Sequence, residues 1–318
     1  MTSMVKSKTE FPGRFLEATG KPVREQVLLR EHSNFRIGGP ADYFFEAISL
    51  NELKSAIRVA REDRVPFYLM GGGFNILFDD QGFRGFILKN SIRGLEACGP
   101  GAGLRAEAGT PLGELVDFAA ERSLEGFEFL AGIPGTVGGA VFGNAGAFGQ
   151  SIGDFLEEAS LLNNGGEEFR VPRDYFGFRY RHSKLKIEHD ILLETKFRLR
   201  PGDERRIRTK IGENLGVRAG KHPPRETAYA GSFFKNPTLS DGTKTAAGYL
   251  LEQVGARELK IGGAAVYPDH CNFLINAGRA TARDILALAV ELKTRVKEKF
   301  GIELEEEVIF LPATASGF

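Results

Sequence analysis

A protein of mixed helix and strand in more than one compact unit is predicted by three observations. The chain has 318 residues, enough for two or three units that each bury a core. Helical and strand-like patterns alternate along it without an internal repeat. A polar, charged, turn-forming segment, "RLRPGDERR", separates a β-rich middle from a last hundred residues with their own pattern.

The elements follow in order. Residues 1 to about 20 show no sustained periodicity and read as a loose leader. In "SLNELKSAIRVAREDR", Ser49 and Glu52 have capping-box spacing, and Leu53, Ile57 and Ala60 share one face of a helix of three to four turns. "VPFYLM" reads as a buried strand running into "GGGFN" (71–75), and "ILFDDQGFRGFILKN" as a second apolar stretch. "GTPLGELVDFAAERS" starts another helix, with Thr110 as N-cap and Pro111 at the first helical position. Segments 156–162 and 191–199 read as strands, with "NNGGEE" as a turn. In "TARDILALAVELKTRVKEKFG", Thr281 caps and Asp284 answers it. Apolar residues then recur at 285, 288, 289, 292, 296 and 300 until Gly301 stops the helix.

Composition narrows function by exclusion. Lys plus Arg (42) balances Asp plus Glu (42), so no global field favours nucleic acid or an anionic membrane. The only cysteines, Cys98 and Cys271, lie outside any C-x-x-C or Cys/His ligand spacing, which argues against disulfides and structural zinc. No signal peptide is expected, nor any segment near the ~18 apolar residues of a membrane span. The expectation is a cytoplasmic protein without metal.

The stretch "AGIPGTVGGAVFGNAGAFG" (131–149) holds seven glycines and no charge. Glycine clusters serve tight turns where φ is positive, or they free backbone N–H groups to line a phosphate concavity. Neither G-x-x-x-x-G-K-[ST] nor a Rossmann G-x-G-x-x-G opening a helix is present, so a phosphate cradle here is of another kind.

"SNFRIGGPADYFFE", "GGGFNILFDDQGFRGFIL", the 131–149 stretch, "YRHS", "AGSFFKNP", "KTAAGYLLEQVG", "GGAAVYPDHCNFLIN" and "LEEEVIF" occur in this order between about residues 30 and 311. In these strings the chain resembles the UDP-N-acetylenolpyruvoylglucosamine reductases. The resemblance implies a two-subdomain FAD-binding fold of the vanillyl-alcohol oxidase type and a C-terminal α+β substrate domain. The expected divisions are a leader (1–20), FAD subdomains (21–88 and 89–201), a substrate domain (202–304) and a C-terminal strand and tail (305–318). FAD and NADPH are the implied cofactors. The substrate is the enolpyruvyl ether of UDP-N-acetylglucosamine, reduced to the lactyl ether for peptidoglycan synthesis by a hydride passed from NADPH through FAD. A monomer acting on small molecules is expected, with no nucleic-acid or membrane partner.

The resemblance also assigns residues. Gly71, Gly72, Gly73, Phe74 and Asn75 would grip the FAD pyrophosphate, together with Pro134, Gly135, Thr136, Gly138, Gly139, Asn144 and Gly146. Ser232 in "GSFFKNP" matches the proton donor, although by itself it would be a turn serine. Arg181 in "YRHS" matches the enolate-stabilising cation; in pattern alone the basic run 179–186 is a solvated face, and Arg179 lies close by. Among Glu303, Glu305, Glu306 and Glu307 the pattern cannot choose, and the resemblance selects Glu307 as the second catalytic group, stabilising the enolate with Arg181. Tyr180, Arg218, Lys221, Asn236, Lys244 and His270 match substrate-binding positions.

Three positions depart from the family. Phe74 replaces a common serine, Glu306 a common proline and Ile309 a common arginine. The short interval from Ser183 to Arg218 implies the subtype without an extra tyrosine-bearing flap. Two rivals are weighed beside this reading: a flavin oxidase of the same fold using O₂, and a non-catalytic nucleotide-binding protein. Such oxidases often tether flavin through histidine, and neither glycine loop holds one.

Overall fold

A computed structural model of the chain describes residues 10–99, 101–224, 226–239 and 242–314. Its first unit is a four-stranded sheet ordered Arg24–Leu28, Pro40–Ala47, Phe83–Asn90, Phe67–Met70. The last three strands are mutually parallel and the first is antiparallel to its neighbour. Helix α1 (Phe11–Thr19) and helix α2 (Leu50–Glu62) pack together beside it.

The loose leader expected through residue 20 is therefore corrected from Phe11 onward; positions 1–9 lie outside the described residues. Phe11 and Phe15, one helical turn apart, are fully buried against Tyr43, Phe45 and Phe86. A nine-residue helix shows only two anchors, too few to register as periodicity. In α2, the Ser49 hydroxyl accepts the Glu52 N–H as expected, while the Glu52 carboxylate reaches one residue further back, to the N–H of Ile48. Leu53, Ile57 and Ala60 face the core.

The second unit is a five-stranded antiparallel sheet ordered Glu168–Pro172, Leu156–Leu162, Ile191–Arg198, Gly103–Glu107, Leu95–Cys98. "NNGGEE" links the first two of these, so the strand 168–172 adds to the two expected. Helix α3 (Leu112–Glu121) and the short helix α4 (Val137–Gly143) share the core of this sheet. Thr110 is not the cap of α3. It is fully buried, and its hydroxyl both donates to the Gly94 carbonyl and accepts the Gly94 N–H; Pro111 occupies the cap position.

A single turn, α5 (Leu185–Glu188), precedes strand 191–198, and α6 (Glu204–Ala219) begins within the charged segment, capped by Asp203. Residues 202–219 were expected in the substrate domain, yet α6 packs on the second unit: Ile211 joins that core, and the Asn214 amide donates to the Glu128 carbonyl at 2.8 Å. The third unit is an antiparallel sheet ordered Ala228–Tyr229, Leu274–Asn276, Ala264–Val266, Lys260–Ile261. Helices α7 (Ala247–Gln253) and α8 (Ala282–Phe300) cover it.

α8 has the expected capping box at Thr281 and Asp284 and the expected left-handed stop at Gly301. Asp80 of the first unit adds a second cap, accepting the N–H groups of Ala282 and Arg283. After α8 the chain returns to the first unit, where Ile309–Leu311 pairs in parallel with Ile76–Phe78. That return fixes where Glu307 lies.

Candidate active site

The two glycine loops meet. A Cβ on Gly71 would stand 2.4 Å from the Thr136 hydroxyl oxygen, and one on Gly72 3.7 Å from the Gly135 Cα. Gly73 has φ +71°, and a Cβ there would lie 2.1 Å from the His32 carbonyl oxygen, so no other residue fits. Among the described residues, the amides of Gly71, Gly72, Gly73, Phe74 and Asn75 donate no hydrogen bond to the protein, nor do those of Gly135 and Thr136. Gly139 is exposed, and its added Cβ would meet only the Thr136 hydroxyl, at 3.6 Å. Unpaired amides on two touching loops without side chains fit a diphosphate, which needs several donors at close range.

Other expected members of this cradle have different work. The N–H of Gly138 goes to the Ala108 carbonyl at 2.7 Å, and a Cβ there would approach that oxygen to 3.0 Å; Gly138 lets α4 pack on the sheet. Thr136 caps α4 through the Gly139 N–H at 3.3 Å. Asn144 ends α4 in the left-handed conformation, accepts the Gly153 N–H and donates to the Arg179 carbonyl at 2.9 Å. The Gly146 carbonyl accepts from Arg181. The ring of Phe74 lies over Gly72, and Pro134 is exposed at the rim.

Arg181 stands beside this cradle. The turn that carries it is closed by reciprocal 3.1 Å hydrogen bonds between Arg179 and His182, with Arg181 in the left-handed region at φ +53°. Ser183, fully buried, ties the turn to α4 by donating to the Phe142 carbonyl. The Arg181 Nε lies 2.6 Å from Glu307 Oε1, both side chains being about one-fifth exposed (23% and 21%). The contact is off the hydrogen-bond line, so it is a charge pair rather than an aligned bond. Nη1 donates to the Gly146 carbonyl at 3.0 Å, which leaves Nη2 for a ligand. Arg179 is exposed and uses only its backbone here, which favours Arg181 of the two arginines.

Pairing also sorts the acidic run. Glu303, Glu305 and Glu306 face Lys297, Lys235 and Lys293. Glu307 alone turns to Arg181. Its N–H donates to the Phe233 carbonyl at 2.7 Å, and its own carbonyl accepts from the Asn75 side-chain Nδ2 at 3.0 Å. One backbone therefore joins the glycine loop, Glu307 and the segment of Ser232. Ser232 follows Gly231 (φ +74°) and precedes the buried Phe233 and Phe234. Its hydroxyl is half-buried and has no hydrogen-bond partner among the described residues.

The substrate positions fall into two groups. The Tyr180 hydroxyl accepts the Asn236 N–H at 3.1 Å, and the Lys244 ammonium lies 4.7 Å from the Tyr180 ring. Asn236 in turn accepts the Ala247 N–H at the start of α7. In the second group, Arg218 donates to the Phe129 carbonyl at 3.2 Å and lies 5.6 Å from the exposed Phe148 ring. Burial first, and the charge of Arg181 second, lower the Arg218 pKa. His270 packs on Phe273 beside His222, and Lys221 is exposed nearby. Burial and Arg218 push His222 down to about 4, keeping it neutral. In sequence pattern Lys186 belongs to a solvated basic face and His222 is not singled out; Lys186 is instead half-buried, with its ammonium donating to the Arg181 carbonyl. Among the described residues no group of three or more His, Cys, Asp or Glu is placed to hold a metal, and no helix is long and apolar enough to cross a membrane.

Residues 41–172 match the FAD binding domain family, which defines the class as a flavoprotein. Residues 223–311 match the C-terminal domain of UDP-N-acetylenolpyruvoylglucosamine reductase. Reductases of that name from Carboxydothermus hydrogenoformans and Geobacter sulfurreducens are 38% and 39% identical to this chain. The first match covers 95% of this chain and 98% of the relative, the second 92% and 94%. The crystal structure of UDP-N-acetylenolpyruvylglucosamine reductase from Thermus caldophilus superposes with a TM-score of 0.76 at 32% identity, over 91% of this chain and 100% of that one. The chain belongs to the UDP-N-acetylenolpyruvoylglucosamine reductase family.

Proposed function

We propose that this protein is the FAD-containing, NADPH-dependent reductase of its family, converting the enolpyruvyl ether of UDP-N-acetylglucosamine to the lactyl ether, as a cytoplasmic monomer. One observation carries the reading: the amide cradle is joined through Asn75 and Gly146 to the Glu307–Arg181 pair, with the unpaired Ser232 hydroxyl on the adjoining irregular segment.

The amides of 71–75, Gly135 and Thr136 hold the FAD diphosphate, and Gly139 leaves room for it. When bound, FAD supplies the relay of a hydride from NADPH to the alkene. The protein's own task is the charge that then develops beside the substrate carboxylate. Arg181 meets it with a guanidinium whose Nε and Nη1 are already fixed, so little reorganisation accompanies the reaction. Ser232 delivers the proton to the α-carbon. A serine hydroxyl is a weak acid, and Arg181, paired with Glu307 whose N–H donates to the Phe233 carbonyl next to Ser232, gives the local positive charge that an alkoxide requires. Tyr180, Asn236 and Lys244 on one side, and Arg218, Lys221 and His270 on the other, bind the UDP-sugar.

Between Ser183, which ends the "YRHS" turn, and Arg218 near the end of α6 lie only α5, the strand Ile191–Arg198, the two-residue strand Arg200–Pro201 and most of α6 itself. That short path supports the subtype without a flap. We place the start of the substrate unit after α6, because α6 packs on the second unit. The test bleaches the purified yellow protein with NADPH without oxygen, then adds the enolpyruvyl UDP-sugar or air. Rapid recolouring by the UDP-sugar is expected; recolouring by air alone would make the protein an oxidase.

A further inference from the structure

Arg181 carries a left-handed backbone (φ +53°) that a residue with a Cβ adopts only when its surroundings hold it. The turn around it is closed by the Arg179–His182 bonds. Its carbonyl is held by something else: the half-buried Lys186 ammonium, which donates to it at 2.9 Å from α5. The same ammonium lies 5.5 Å from the Phe142 ring of α4, and it faces Arg181 and His182 on the turn, Lys235 of the third unit and Glu307. Placing a cation among cations costs desolvation and repulsion, which a surface lysine would avoid by turning outward.

We propose that Lys186 is a positioning residue for the reduction step, fixing the Arg181 turn from its carbonyl side so that the guanidinium stays aimed at the substrate. The inference rests on the reductase reading given above. Lys186 touches no reacting atom in this scheme; it acts through Arg181. Burial, with Lys235 and Arg181, lowers its pKa below the usual lysine range, so the ammonium is lost at a lower pH than on an exposed lysine. The anchored turn is thus present at neutral pH and released as pH rises.

The experiment measures both half-reactions of the holoenzyme by stopped flow in wild type, Lys186→Met and Lys186→Arg. In K186M, flavin content and bleaching by NADPH stay within about twofold of wild type, while recolouring by the UDP-sugar slows on the order of 10²-fold in kcat. K186R keeps a donor and a charge and restores most of that loss. Its recolouring rate also holds at high pH where wild type falls, because arginine does not deprotonate. Recolouring of K186M at the wild-type rate overturns the proposal. So does a rise in KM with kcat unchanged, which would make Lys186 a simple substrate anchor, or an equal loss in both half-reactions together with flavin, which would make it structural. If wild type itself is not recoloured by the UDP-sugar, the reductase reading fails first, and that control is read without any variant.

Discussion

The glycine cradle and the charged cluster beside it are built from opposite materials. The cradle is main chain, made by two loops that touch because Gly71 has no side chain to strike Thr136. The cluster is side chains, with Arg181, Ser232 and Glu307 contributed by three distant segments and set by backbone hydrogen bonds behind them. A main-chain site is damaged by adding atoms, whereas a side-chain site is damaged by removing or replacing them. The two regions should therefore fail separately, each in its own half of the reaction.

Ser232→Ala gives the largest expected effect. Removing the proton donor should slow recolouring by the UDP-sugar about 10²- to 10⁴-fold while bleaching by NADPH continues. The hydroxyl has no partner among the described residues, so its removal orphans nothing, and stability should stay within about 0.5 kcal/mol. Equal losses in both half-reactions would show the serine to be structural and erase the division between the regions.

Arg181→Lys comes next. Lysine keeps the charge but cannot hold Glu307 and the Gly146 carbonyl while presenting a third nitrogen, so recolouring should slow on the order of 10²-fold. Flavin content should be unchanged. Loss of flavin would mean that the bond to Gly146 couples the cluster to the cradle, so that the two regions do not fail separately.

Gly139→Ala probes the cradle in the opposite sense. The position is helical, and an added Cβ meets nothing closer than 3.6 Å. With no ligand involved, alanine should stabilise α4 by up to about 1 kcal/mol over glycine. If the cofactor diphosphate approaches here, FAD affinity falls roughly tenfold at the same time, a loss of about 1.4 kcal/mol. A higher melting temperature of the apoprotein with weaker FAD binding, by thermal shift and flavin titration, is the expected pair. Stronger stability with unchanged FAD affinity would move the cofactor away from α4.

The same contrast explains what could be read from sequence. A backbone site announces itself, because seven glycines without a charge in 131–149 have few explanations, and the adjoining "GGGFN" loop repeats the signal. Helices with caps were legible too, α2 and α8 above all. The charged cluster was not: Arg181 and Glu307 look like members of ordinary basic and acidic runs, and only tertiary pairing of the other glutamates with lysines singles out Glu307. Resemblance to a family supplied those residues before the fold did. Gly138 and Asn144 show the limit from the other side, since a glycine-rich string does not say which members face a ligand and which let elements pack. Thr110 failed as a cap because a buried turn threonine and an N-cap share one local signature.

The smallest effect belongs to Tyr180→Phe. Tyr180 spans the boundary, carried by the same turn as Arg181 but bonded through its hydroxyl to the Asn236 N–H of the third unit. Phenylalanine keeps the ring beneath Lys244 and deletes only that acceptor. Asn236 is exposed, so water replaces the lost bond, and the net cost should be about 1 kcal/mol or less. KM for the UDP-sugar should rise about fivefold at most, with kcat and NADPH bleaching unchanged. A fall in kcat instead would place the hydroxyl among the groups that act only in the transition state. Tyr180 would then belong with Arg181 in the reacting cluster, and substrate binding would rest on Lys244 and Asn236.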